Sequence, residues 1–188
     1  EGVGAGIVLN GTIYKGDTYS AGEIGHTTVD LNGPRCSCGN RGCLQTFVSG
    51  PAIARQAAQA IEQGARSLLI EMSEGDPDKI TGEMVDRAAR QGDELALSIF
   101  EQTGRHIGIG LVNLINTLNP RKIILGGGVT GAADLYLEHI RTTILERAMD
   151  TPARAVSIVI SSLGEFATAI GAVTIVLEHL FAPHAGTR

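Results

Sequence analysis

Three cysteines fall close together in the run Cys36-Ser37-Cys38-Gly39-Asn40-Arg41-Gly42-Cys43, and a histidine, His26, precedes them. An odd count of 3 cysteines, in a composition unlike that of a disulfide-stapled secreted domain, points to metal ligation. A structural zinc ion takes four ligands in a tetrahedron and prefers thiolate and imidazole. Cys36, Cys38 and Cys43 supply three of these, and His26 is the nearest candidate for the fourth. Gly39 and Gly42 let the loop double back. The loop carries so little apolar mass that metal bonds could supply the folding energy that burial cannot. The plainer alternative is three reduced thiols beside an ordinary polar histidine. Four protein ligands leave no open position for water, so a structural zinc suits the set better than a catalytic one.

The elements that must position these residues alternate between strand and helix patterns. Residues 2–9 and 12–15 read as strands around the hairpin dipeptide Asn10-Gly11. Residues 27–31 form a candidate third strand. From Leu44 to about Ile70 the pattern turns helical, with Pro51 suited to a first turn. Another helix is expected over 82–91, capped by Thr81. The longest is predicted over 94–118, capped by Asp93 and stopped by Pro120. Gly104, Gly108 and Gly110 lie inside it, each costing about 1 kcal/mol relative to Ala, so close packing against a neighbour is expected there. A short strand at 122–125 opens into Gly126-Gly127-Gly128, followed by a helix near 132–148, a strand at 155–161 and a closing helix at 167–180. Strands separated by helices predict an α/β fold with a central mixed sheet.

Composition bounds the remaining possibilities. The chain has 188 residues, the size of one domain or of one lobe of a larger one. With no Trp, 4 Phe and 3 Tyr, aliphatic side chains must fill the core. A formal charge of −5 argues against this segment gripping nucleic acid by itself, because phosphate contacts need a basic face. No apolar run approaches a membrane span and no signal peptide is visible, so a cytoplasmic location is expected. The chain does not begin with Met, and Glu1 to Val8 read as the inside of a glycine-rich turn entering a strand. The expectation is a fragment, with 182–188 a frayed tail.

Two motifs then carry a resemblance. Ala21-Gly22-Glu23-Ile24-Gly25-His26 resembles the A-G-E-x-G-H motif of the ROK family (repressor, open reading frame, kinase). Cys36 to Gln45 resembles its C-x-C-G-x-x-G-C-x-E motif at the expected distance, and weaker echoes run through Asn113–Gly128 and Leu163–Ala172. The resemblance implies the C-terminal lobe of an actin-like, ribonuclease-H-like fold over 1–181, with zinc held by His26, Cys36, Cys38 and Cys43. It implies that Glu23 and His26 face a sugar, and that position 45 does too. A carboxylate such as Glu23 can accept bonds from adjacent sugar hydroxyls with charge-assisted strength.

Two departures from the family pattern bear on function. Gln45 stands where the motif has Glu, replacing one of two acceptor oxygens by an amide donor. Glu1 aligns with a Thr in the phosphate-binding turn of the family's kinases, where a carboxylate would repel nucleotide phosphate. Both fit the family's regulators better than its kinases. The expected function is therefore sugar-effector binding and oligomerisation in a transcriptional regulator, as a homodimer or tetramer, with DNA bound only through a preceding domain. No catalytic residue is assigned. The alternative is the C-terminal lobe of an ATP-dependent sugar kinase, whose catalytic Asp would precede Glu1. Gly126-Gly127-Gly128 would then face adenosine, although glycine-rich strand-to-helix turns are common for structural reasons.

Overall fold

The long helix predicted behind Asp93 is the spine of the molecule in the computed structural model, which describes residues 2–181. Glu1, on which the phosphate-turn comparison rests, and the expected tail at 182–188 lie outside the described residues. Twelve elements carry the description: β1 (Ile7–Leu9), β2 (Thr12–Tyr14), α1 (Gln45–Val48), α2 (Gly50–Glu62), α3 (Leu69–Met72), α4 (Gly82–Arg90), α5 (Glu94–Leu118), β3 (Lys122–Leu125), α6 (Ala133–Arg147), α7 (Asp150–Ala155), β4 (Ser157–Ile160) and α8 (Ala167–Phe181).

Asp93 caps α5 by accepting from the Ala96 N–H at 2.9 Å, as its position before the helix suggests. The same carboxylate accepts from Ser67 Oγ at 3.0 Å and from the Leu68 N–H at 2.7 Å, so one side chain also ties down the start of α3. At the other end Asn119 adopts a left-handed conformation (φ 44°) and its N–H bonds Ile115 O, closing the helix before Pro120. Thr81 caps α4 as expected, accepting from the Met84 N–H at 3.3 Å.

The glycines of α5 explain how its neighbours approach. A Cβ on Gly108 would lie 2.6 Å from Thr143 Cβ of α6, and one on Gly104 would lie 2.7 Å from Tyr136 O. On another face, a Cβ on Gly110 would lie 2.7 Å from Leu44 Cδ2, at the end of the cysteine loop. The core assembles around this spine from Leu69, Val85, Phe100, Ile115, Tyr136, Ile140 and Ile144, all buried. Arg90 of α4 bridges to the start of α6, donating to Asp134 at 3.0 Å and to Gly131 O at 2.8 Å.

Several sequence expectations need correction. Residues 27–31 form no strand. Thr28 makes a single bridge to Cys43, and the Asp30 side chain draws the chain into a turn by accepting from the Asn32 N–H at 2.9 Å. The helix expected over 44–70 is three helices. Ser49 is extended (ψ 155°) and caps α2, accepting from the Ala52 N–H at 3.4 Å, while Gly64 (φ 94°) follows the end of α2 in a left-handed turn. Only residues 7–9 of the stretch 2–9 pair as a strand, because Val3 and Ala5 bond instead to the turn at residues 22–25. The strand at 155–161 shortens to β4, the helix near 132–148 begins as a 3-10 turn over Gly128–Ala132, and α7 was not anticipated.

The central mixed sheet is also corrected. Among the described residues the strands form two separate ladders, β1–β2 antiparallel and β3–β4 parallel. The β3–β4 ladder packs Ile123, Leu125, Ile158 and Ile160 against the core, whereas Val8 of β1 (63% exposed), Ile124 of β3 (62% exposed) and Val173, Val176 and Leu180 of α8 remain in water. Among the described residues, no helix is long and apolar enough to cross a membrane.

The close approach of α5 and α6 predicts that Gly108→Ala destabilises the chain by about 1–3 kcal/mol through overpacking against Thr143. Gly171→Ala in α8, where an added Cβ meets nothing within 4 Å, is expected to be neutral or to stabilise by about 0.5–1 kcal/mol. Urea unfolding midpoints of the two variants provide the comparison.

Candidate metal centre and its surroundings

The turn that carries Glu23 and His26 is built by two glycines. Gly22 (φ 92°) sits where a Cβ would run into Ala5 O, and Gly25 where one would run into Val3 O. These close approaches permit the backbone bonds Ala5 N–H to Gly22 O (2.7 Å) and Gly25 N–H to Val3 O (3.1 Å). The chain then winds through one 3-10 turn over Ile24–His26, which aims the imidazole at the cysteine loop.

That loop is folded by its own backbone. The Gly39 N–H bonds Cys36 O at 3.0 Å, and the Cys36 N–H bonds Asn40 O at 2.8 Å. Gly42 (φ 65°) packs so tightly under Asp30 that a Cβ would overlap its carbonyl oxygen. The result brings together all four residues predicted as ligands. One ligand atom from each of His26, Cys36, Cys38 and Cys43 lies within 4.8 Å of the others. His26 Nδ1 is 3.6 Å from Cys36 Sγ, and the Cys38 and Cys43 sulfurs are 3.7 Å apart. Zinc–sulfur bonds of about 2.3 Å in a tetrahedron place sulfurs about 3.8 Å apart, so the spacing suits a four-coordinate metal.

The thiols are not equivalent. The Cys38 backbone N–H, reinforced by neighbouring side chains, lowers the Cys36 pKa to about 6. Burial pushes the Cys43 thiol up to about 12, with Cys38 and Cys36 adding to the shift. A divalent cation at the centre would neutralise the sulfurs and remove the penalty on Cys43.

The remaining residues predicted to face a sugar stand at the rim of this cluster. Glu23 is 64% exposed, and its carboxylate lies 3.9 Å from His26 Nε2, beyond hydrogen-bond length. Gln45, the first residue of α1, donates from Nε2 to Cys36 Sγ at 3.3 Å. Its carbonyl oxygen faces the backbone at Gly2. The neutral amide thus does something a glutamate could not, donating to a sulfur with thiolate character.

Other groups at the site left no pattern in the sequence. Phe47 stacks on the His106 ring of α5, with centroids 4.2 Å apart and 11° between planes, and burial lowers the His106 pKa. Arg35, Ser37, Thr46, Ser49 and Arg55 line a pocket of about 160 Å³, together with Cys36 of the cluster and Gln45 at its rim. A larger cleft of about 670 Å³ runs between Gly2–Gly4, the N-terminus of α4 and Gly126-Gly127. Glu83 and Asp86 line that cleft, and no Lys or Arg does among the described residues.

The sequence profile of the ROK family matches residues 1–179. The chain is 37% identical over 176 residues to the DNA-binding transcriptional dual regulator NagC of Escherichia coli, covering 94% of this chain and 42% of that protein. It is 32% identical over 178 residues to the xylose repressor of Bacillus subtilis, covering 95% and 42%. The chain spans less than half the length of these curated relatives. Among solved structures, a ROK family transcriptional regulator homologous to the E. coli MLC protein superimposes with TM-score 0.76 and 36% identity, covering 85% of this chain and 39% of that one. A ROK family glucokinase from Streptomyces griseus, in complex with glucose and AMPPNP, gives TM-score 0.83 and 32% identity, covering 93% and 57%.

The unequal thiols predict an order of alkylation in the metal-free chain at pH 7. Cys43, buried and held protonated, reacts last, behind exposed Cys38 and behind Cys36 with its lowered pKa. Peptide mapping after a timed iodoacetamide pulse reads the order directly, and faster modification of Cys43 than of Cys38 contradicts it.

Proposed function

The chain belongs to the ROK family, and from that premise we propose that it is the sugar-effector-binding and oligomerising part of a transcriptional regulator, stabilised by a structural zinc ion. It represents, in this reading, the C-terminal lobe of an actin-like fold over residues 1–181. The observation that carries the proposal is the convergence of His26, Cys36, Cys38 and Cys43, with Glu23 and Gln45 on the rim. The repressors among its relatives lend support. His26, Cys36, Cys38 and Cys43 would hold the zinc, which when bound supplies the bonds that a polar loop cannot obtain from burial.

The chain's own residues would do the reading. Glu23 offers two acceptor oxygens to sugar hydroxyls. His26 uses Nδ1 toward the thiols and leaves Nε2–H on the side of Glu23 and the ligand. Gln45, with its amide nitrogen engaged by Cys36, presents a single acceptor to the ligand. The three contacts share one small loop, so sugar binding and loop order are coupled. Such a protein would act in the cytoplasm as a homodimer or tetramer, and would reach DNA through a segment outside this chain.

A sugar kinase is the second reading, favoured by the likeness to the S. griseus glucokinase and by the glycine-walled cleft. Of the two carboxylates in that cleft, Asp86 is ion-paired with Arg90 at 3.0 Å, and Glu83, which has no cationic partner among the described residues, suits nucleotide phosphates poorly.

Three results are expected. The chain purified without chelator contains one zinc per protomer by elemental analysis, and Cys38→Ala loses it. That variant also binds sugar at least about tenfold more weakly by calorimetry, because a loosened loop misplaces Glu23 and Gln45. With the intact protein, sugars release operator DNA without ADP formation, and sugar-dependent ADP production would overturn the regulator reading. Separately, Gln45→Glu is expected to re-rank a sugar panel toward vicinal diols by about 1–2 kcal/mol. Identical rankings in thermal-shift measurements would mean that position 45 does not touch the ligand.

A further inference from the structure

The 160 Å³ pocket beside the cluster has a chemistry of its own. Arg35 and Ser37 enter it from the cysteine loop, Gln45 from α1, and Ser49 and Arg55 from the start of α2. Neither guanidinium has a carboxylate partner among the described residues. Nor does any carboxylate among the described residues line the pocket, where the group of anionic character is the Cys36 sulfur of the cluster. Arg55 donates from Nη2 to Thr46 O at 2.9 Å, which fixes the guanidinium plane while leaving other N–H groups available. Ser49 is the cap of α2, a helix of 13 residues, so the positive end of that helix dipole also lies at the pocket wall. Two unpaired cations, hydroxyl donors and a helix N-terminus thus converge on one small polar space. By contrast, the larger cleft is lined by Glu83 and Asp86.

We propose that this pocket is an anion subsite that receives a phosphate monoester, so that the effector read by the chain is a sugar phosphate. A phosphate monoester carries about −1.5 to −2 charge at neutral pH and offers oxygens to two planar guanidinium forks at once. Gln45 lines the pocket while bonding Cys36, which places the subsite directly beside the residues assigned to the sugar. The sugar half of the inference rests on the sugar-effector reading above, whereas the anion half rests on the pocket alone.

Calorimetry on the zinc-loaded chain tests it with inorganic phosphate, a panel of hexoses and pentoses, the phosphate esters of the same sugars, and hexuronic acids. The expected result is that at least one ester binds about tenfold or more tightly than its parent sugar. Arg35→Gln, a change at an exposed loop position, should abolish most of that gain and weaken inorganic phosphate similarly, with an unchanged thermal midpoint. Arg55→Lys keeps charge but loses the fork, and should weaken the ester less than Arg55→Gln does. Esters that bind no better than their parent sugars would overturn the subsite while leaving the sugar reading intact. Phosphate binding that depends on Arg35, with no binding of any sugar or ester, would uphold the subsite and remove the sugar reading. Uronic acids that match the esters would overturn the phosphate assignment, as would an Arg35→Gln variant with undiminished ester affinity.

Discussion

Between Thr27 and Cys43 the chain buries only Gly33, Cys36, Gly42 and Cys43, and a segment of that length cannot be ordered by so little apolar contact. Its order rests on turn hydrogen bonds and on the convergence of three sulfurs and one imidazole. Every other feature of the site depends on that convergence. Gln45 is oriented by Cys36, His26 is aimed by the turn that abuts the loop, and Arg35 projects from the loop itself. A metal at the centre would therefore organise residues that never touch it.

The loop is also joined to the core, which gives a loop-borne site a rigid support. Leu44 packs over Gly110 of α5, and Phe47 lies between Gly33 and the His106 ring. Both contacts reach the same helix whose opposite side closes on α6 through Gly104 and Gly108. The glycines that would weaken α5 in isolation are thus the places where its neighbours come closest. About 1 kcal/mol of helix propensity per glycine is exchanged for dense packing on two faces.

The two cavities differ in electrostatic character. The wide cleft near Gly126-Gly127 has the glycine walls that a nucleotide would need, yet the charged groups lining it are Glu83 and Asp86, of which Asp86 is ion-paired with Arg90. The small pocket beside the cysteine loop has guanidinium groups that no carboxylate among the described residues neutralises. Similarity to a glucokinase and to repressors is consistent with one framework supporting different ligands through such local changes.

Local chemistry was legible in the residues themselves. Clustered Cys36, Cys38 and Cys43, the caps Thr81 and Asp93, and the stop at Pro120 announce a loop that could hold a metal and the bounds of two helices, because each acts over a few residues. What failed was whatever depends on distant partners. Residues 27–31 read as a strand, but among the described residues they make only the single Thr28–Cys43 bridge, and the Asp30 turn prevails. The pattern over 44–70 is continuous, yet the extended Ser49 and the left-handed Gly64 divide it. The sheet reduces to two ladders, because strand pairing requires neighbours that periodicity cannot specify. Only the fold could show that Gln45 donates to a sulfur, or that Arg35 and Arg55, 20 positions apart, face one pocket. Such meetings are set by the packing of α1 and α2 against α5, and sequence spacing carries no record of them.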